Sequence, residues 1–138
     1  MSVTPEVPSP ERPSLRGAGG ELILISIAVK PRSLESLLDT LAELPFPVNP
    51  EIYHNADVTR IYPDGRQECE PAVLVDFPAW EYNLQAVREA LSARGFPPEV
   101  LSARNLLEGM AADSETLPAP QGAPYAAIVR RKCVASAA

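Results

Sequence analysis

From Glu21 to Val29 the chain reads ELILISIAV, apolar on both alternating faces. Ile23, Ile25, Ile27 and Val29 fall on one face; Leu22, Leu24 and Ala28 fall on the other. A strand of this kind is normally covered on both sides, and Pro31 ends it. Ser33 is the predicted N-cap of a first helix. Leu34, Leu37, Leu38 and Leu41 then repeat at the i, i+3, i+4, i+7 spacing of an amphipathic stripe, which Pro45 and Pro47 stop. Residues 51–62 and 66–77 read as two strands joined by Pro63-Asp64-Gly65. In that turn Pro presets φ and Gly accepts φ > 0. The first of the two strands is polar and charged, as expected of an edge strand. The second ends in the apolar run AVLVDF and belongs at the centre of a sheet. Pro78 fits the first turn of a second helix, with Trp80, Leu84, Val87 and Leu91 as its stripe and Gly95 as its C-cap. Val100, Ala103, Leu107 and Met110 predict a further helix over 98–111, with a short strand at 100–103 as the alternative. Residues 113–124 are linker-like, and 125–134 alternates as a last strand.

The order β-α-β-β-α-(α)-β predicts an α/β (α+β) ferredoxin-like sandwich. Its single four-stranded antiparallel sheet has the order 4-1-3-2, which places the apolar strands one and three inside and the charged strands two and four at the edges. Residues 1–20, rich in Pro and Gly, are read as a flexible arm that buries too little surface to order itself. A single domain then covers 21–134, with the linker near 113–124 and a short tail at 135–138. A chain of 138 residues has room for one such domain. One face of the sheet carries the helices. The other, with Leu22, Leu24, Ala28, Ala72 and Leu74, is left open and partly apolar, which predicts a homodimer through that face. The alternative cover is the C-terminal segment folded back on it.

Composition narrows the classes. No apolar run approaches the roughly 18 residues that span a bilayer, so no membrane association is expected. The first residues lack the basic start and apolar core of a signal peptide, which points to the cytoplasm. The net charge of −6 disfavours nucleic acid. The one basic run, Arg130-Arg131-Lys132, reads as the solvated end of a strand. Cys69 and Cys133 lack the close spacing of a metal site. Nothing in their context supports a disulfide, and both read as small buried thiols.

Candidate chemistry is sparse. With the hairpin in register, Tyr62 faces Arg66, Arg60 faces Glu68 and His54 faces Leu74, so Asp76 becomes the diagonal neighbour of His54. His54, the one histidine in the chain, and Asp76 are therefore the candidate acid/base pair. No Ser or Cys nucleophile falls beside them. A metal site would need Glu51 or Asp57 as well, and alternation puts both on the opposite face from His54, so no metal is expected. Arg60, Glu68 and Glu70 form a cross-strand charge cluster that sets register. Three places are candidate ligand-binding sites. Tyr53 and Trp80, next to Asp76, can wall a pocket. Lys30 and Arg32, at the turn that opens the first helix, can receive a carboxylate or phosphate. Tyr62 and Arg66, at the hairpin tip, can grip an anion or a partner. No Gly-rich phosphate loop, HExxH, GxSxG or dinucleotide fingerprint is present, so no cofactor is expected.

Over residues 21–134 the order of elements resembles that of small ferredoxin-like regulatory modules such as ACT domains. Those commonly carry a glycine in the turn after the first strand, where this chain has Lys30-Pro31-Arg32-Ser33. The resemblance implies a regulatory module. The expected function is thus a non-catalytic regulatory or binding module for a small molecule or protein, acting as a homodimer. A small enzyme using His54 and Asp76 is the alternative.

Overall fold

The computed structural model describes residues 16–17, 20–111 and 113–132. Most of the predicted arm, Cys133 and the tail lie outside the described residues. In chain order the elements are β1 (Gly20–Val29), α1 (Leu34–Ala42), β2 (Glu51–Ile61), β3 (Gln67–Trp80), α2 (Leu84–Ala93), β4 (Leu101–Asn105), α3 (Leu106–Ala111), β5 (Ser114–Pro118) and β6 (Ala127–Lys132). Arg16–Gly17 adds a two-residue antiparallel extension at the start of β1. The six strands make one antiparallel sheet in the order β4-β1-β3-β2-β6-β5.

The sheet overturns the four-stranded ferredoxin-like sandwich, and the likeness to ACT domains falls with it. Residues 101–105, placed above within a helix, are instead a strand beside β1, with Ile25 facing Ala103. The expected fourth strand near 125–134 runs on the opposite side of the sheet, where β6 pairs with β2. β2 is therefore not an edge. Ala56, Val58 and Arg60 turn to the inside of the sheet, which curls into a half-barrel, while Glu51 and His54 remain exposed.

The convex face is an ordinary apolar core. Ile23, Ile25, Ile27 and Val29 of β1 and Val73, Val75, Phe77 and Ala79 of β3 point the same way, against Leu37 and Leu41 of α1 and Val87 and Leu91 of α2. Gly95 closes α2 with φ +87. Its N–H donates to Ser92 O at 3.0 Å, and the Phe96 N–H donates to Leu91 O at 3.0 Å. This left-handed cap folds Phe96 back toward the core.

β3 continues through Pro78 to Trp80, so neither residue belongs to the second helix as predicted. A proline is tolerated in a strand where one side lacks a partner. Pro78 faces Leu24 on β1, beyond the last β2 pairing at Glu51–Asp76. Pro71 faces Asp57 on β2, beyond the last β1 pairing at Val29–Val73. Both sit where the central strand has a single neighbour. A 3₁₀ turn, Glu81–Asn83, then leads into α2. Likewise Pro31–Ser33 forms a 3₁₀ turn before α1, and Ser33 makes no side-chain cap bond.

The concave face carries the residues on which the homodimer expectation rested. Leu24 and Leu74 are buried within the single chain. α3 lies against Leu24, and Tyr125, Ala119 and Ala123 pack with Val58, Ala72 and Ile128. α3 and the C-terminal segment cover much of this face, so the open apolar surface from which the homodimer was inferred no longer supports it. Among the described residues, no helix is long and apolar enough to cross a membrane. Cys69 is free and exposed rather than a buried thiol.

The α3 contact is tight enough to test. A Cβ added at Gly109 would lie 2.7 Å from Leu24 Cδ2 and 2.9 Å from Leu24 Cβ. Gly109→Ala is expected to cost about 1–3 kcal/mol in urea unfolding, the range for overpacking a filled site. Glu108→Ala, on the exposed side of the same helix, should stay within about 0.5 kcal/mol.

Candidate functional site: the mouth of the half-barrel

Curling is fixed by a chain of polar contacts across the concave face. Alternation along β6 turns Ile128, Arg130 and Lys132 inward, and their neighbours on β2 are Arg60, Val58 and Ala56. Arg130 is 3 % exposed. Its Nη1 donates to Ser26 O and to Ser102 Oγ at 3.2 Å each, on β1 and β4. Its Nη2 donates to Glu99 O at 2.8 Å and Val100 O at 2.7 Å. Ser26 Oγ donates to Asp76 Oδ1 at 2.6 Å, and Lys132 Nζ holds Asp76 Oδ2 at 2.9 Å. Ser102 Oγ donates to Glu115 Oε1 at 2.8 Å, and Arg104 Nε lies 3.4 Å from Glu115 Oε2. β4 and β5, at opposite ends of the strand order, are thus joined by side chains. Burial pulls the Arg130 guanidinium below its usual pKa, against the attraction of Glu115 and Asp76. An arginine stays charged even so.

At the end of the half-barrel where β1 stops, the concave face opens into a cavity of about 520 Å³. Ala28, Val58, Ala72 and Ile128 form its inner wall, together with Arg130. The turn into α1 contributes Lys30, Arg32, Ser33 and Ser36, and the loop after α2 contributes Arg94, Phe96, Pro97 and Glu99. Arg60 and Glu70 complete the wall. The volume lies within the roughly 300–1,000 Å³ of small-molecule sites. Five cations and two carboxylates line it, in a chain whose net charge is −6. A smaller groove of about 360 Å³ beside α2, lined by Gln85, Arg88, Glu89 and Phe96 among others, includes none of the residues selected from the sequence.

The structure sorts the sequence candidates. Lys30 and Arg32 line the cavity. Tyr53 does not. It faces Leu74, its ring lies 4.6 Å from Lys132 Nζ, and its hydroxyl donates to Glu51 Oε1 at 3.1 Å. Trp80 ends β3 opposite Leu22, away from the cavity. At the hairpin tip the Arg66 guanidinium stacks 4.2 Å from the Tyr62 ring, and the Tyr62 hydroxyl donates to Glu68. This pair is occupied by its own strand neighbours. His54 and Asp76 are not brought together as an acid/base pair. A bulge between Tyr53 and Ala56 breaks the register that placed His54 opposite Leu74. His54 is exposed, and the Asp76 oxygens are taken by Ser26 and Lys132. Among the described residues, no group of three His, Cys, Asp or Glu side chains is placed to hold a metal ion.

Arg60, Arg94, Glu99 and Arg130 are site residues that the sequence reading missed. For Arg130 a signal existed: it shares the alternating face of Ile128, so an inward direction was as consistent with the pattern as a solvated one. The basic run is accordingly no surface patch. Arg130 and Lys132 point inward, and Arg131 is exposed. No family model, curated protein or solved structure matches the chain.

Two outcomes are expected. Arg130→Met removes the donors that satisfy two loop carbonyls, Ser26 O and Ser102. It should destabilise the fold by about 3 kcal/mol in urea unfolding, the scale for breaking a buried charge network from one side. The Tyr53 phenol is pushed up to about 12 by burial, then by its hydrogen bond to Glu51 and the charges of Glu51 and Asp76. A raised folded-state value means that this stabilisation is intact below the ordinary phenol range and is lost as pH rises through about 12. Tyr62 and Tyr125 are raised as well, so in an absorbance titration Tyr53→Phe should remove one tyrosine from the component ionising near pH 12.

Proposed function

We propose that the chain is a non-catalytic binding module that takes a small molecule into the mouth of its half-barrel. One observation carries this reading: the concave face is filled by Leu24 and Leu74 at one end, yet holds a cavity of about 520 Å³ at the other. Ser33 and Ser36 are the hydroxyls on its lining, and the one histidine lies elsewhere. The mouth is built from a single chain, so the reading needs no second copy. The exposed free thiol of Cys69 fits a reducing compartment such as the cytoplasm.

An amide-resolved NMR screen of small metabolites of mixed charge tests it. Binders should shift resonances of residues 28–36 and 94–100 and raise the melting temperature by mass action, by about 2.7 kcal/mol of stability at a hundredfold excess over Kd. Ala28→Leu, which fills the cavity from β1, should keep the fold by circular dichroism and lose the shifts. A screen without binders at these residues, or binding unaffected by Ala28→Leu, would remove the mouth as the site.

A further inference from the structure

We infer that the ligand is an amphipathic oxyanion, with a carboxylate or phosphate head at the rim beside Lys30 and Arg32 and an apolar body on the floor. The inference deepens the binding reading above and rests on it. It follows from which charges in the cavity are already spent. Both carboxylates are partnered: Glu70 with Arg60 at 2.9 Å, and Glu99 with the Tyr125 hydroxyl at 3.2 Å. Three of the cations are partnered too: Arg60 with Glu70, Arg94 with Glu43 at 2.7 Å, and Arg130 with its four acceptors. Among the described residues the Lys30 ammonium and the Arg32 guanidinium have no hydrogen bond or ion pair, and the Lys30 carbonyl accepts from the Ser33 N–H at 2.8 Å. The two charged side chains of the cavity left without a partner are therefore both positive and lie in one place.

Position adds to sign. Lys30 and Arg32 are exposed, whereas Val58, Ala72 and Ile128 are buried. The cations thus sit at the rim and the hydrocarbon at the floor. The floor is shallowest in side chain at Ala28 and Ala72, so a flat or branched apolar body has room above two methyl groups. A bare inorganic ion would reach the rim and leave the floor unused. A cationic ligand would meet two cations at the rim, with Glu70 already paired with Arg60 and Glu99 already hydrogen-bonded by Tyr125.

Phenyl phosphate, benzoate, benzyl alcohol, benzylamine and inorganic phosphate separate these cases by NMR titration or calorimetry. At least one aryl oxyanion should bind about tenfold more tightly than benzyl alcohol, the scale of a few partly exposed charge contacts, and more tightly than inorganic phosphate. The stronger of phenyl phosphate and benzoate identifies the head. The double variant Lys30→Ala/Arg32→Ala should abolish the oxyanion preference and leave benzyl alcohol unchanged. Both positions are exposed, so the fold should survive. Raised salt should reduce the preference in the wild type. If benzyl alcohol or benzylamine matches the oxyanions, or if the double variant keeps the preference, the inference is overturned while the binding function stands. Tighter binding of inorganic phosphate than of phenyl phosphate would overturn the apolar body. If none of the probes binds at the mouth, both readings fall.

Discussion

Arg130 holds the curl of the sheet. A flat antiparallel sheet of six strands would leave β4 and β5 far apart; here one buried guanidinium from β6 reaches the backbone of β1, the hydroxyl of Ser102 on β4 and two carbonyls of the loop before it. A guanidinium suits this task because its donors lie in a planar fork, so one side chain serves several acceptors in fixed directions. The remaining members of the network follow from its presence. A buried positive charge requires nearby negative charge, which Asp76 and Glu115 supply, and each carboxylate is in turn held on both oxygens. Five of the six strands contribute a residue to this chain of contacts.

A network of that kind is weak evidence for net stability, since burying ions costs several kcal/mol each before their attraction is counted. Its effect is on which structure forms. Slipping β6 by one residue against β2 would turn Arg130 and Lys132 out and bring Val129 and Arg131 in. Asp76 would then lose Lys132, and the Ser26 carbonyl and the two loop carbonyls would lose Arg130, all together. The apolar convex core, by contrast, is built from interchangeable Ile, Val and Leu contacts and discriminates less sharply between registers. The two faces thus divide the work: hydrocarbon burial under α1 and α2 drives collapse, and the concave polar chain selects the register and the curvature.

That division explains what was legible in the sequence. The Ile and Val alternation of β1 and β3, the Leu stripes of α1 and α2, and the glycines at 65 and 95 all announce local structure through local rules, and Gly65 takes φ +93 in the hairpin turn. Polarity misled. The charges on β2 and β6 were read as signs of solvent, whereas Arg60, Arg130 and Lys132 turn into the curled sheet, a direction that no single segment reveals. The helical spacing of Val100, Ala103, Leu107 and Met110 misled for another reason: a five-residue strand running directly into a six-residue helix imitates one longer helix. His54 was lost to a bulge, an extra residue that a pattern of alternation cannot show. Of the site, the Lys30–Arg32 turn was legible because its charges are local; the opposing wall comes from segments 30 to 100 positions away and emerges only with the curl.

The cavity is a consequence of that curl meeting unequal side chains. Along the concave side of β1 the sequence runs Leu24, Ser26, Ala28, and along β3 it runs Ala72, Leu74, Asp76. Antiparallel pairing sets Ala28 against Leu74 and Leu24 against Pro78, while Ala72 faces Ala56 on β2. Small side chains therefore gather at the end where β1 stops, and the curled sheet cannot close the space they leave. The clamp bears directly on this space. Arg130 forms part of the wall, and its Nη2 fixes the carbonyls of Glu99 and Val100, which belong to the loop that frames the opening beside Phe96 and Pro97. The side chain that bends the sheet also orders the rim, so the opening is formed before anything enters it. For the binding role proposed above, a cavity already open would cost little conformational freedom on binding, and the contact that bends the sheet is also the one that frames the cavity.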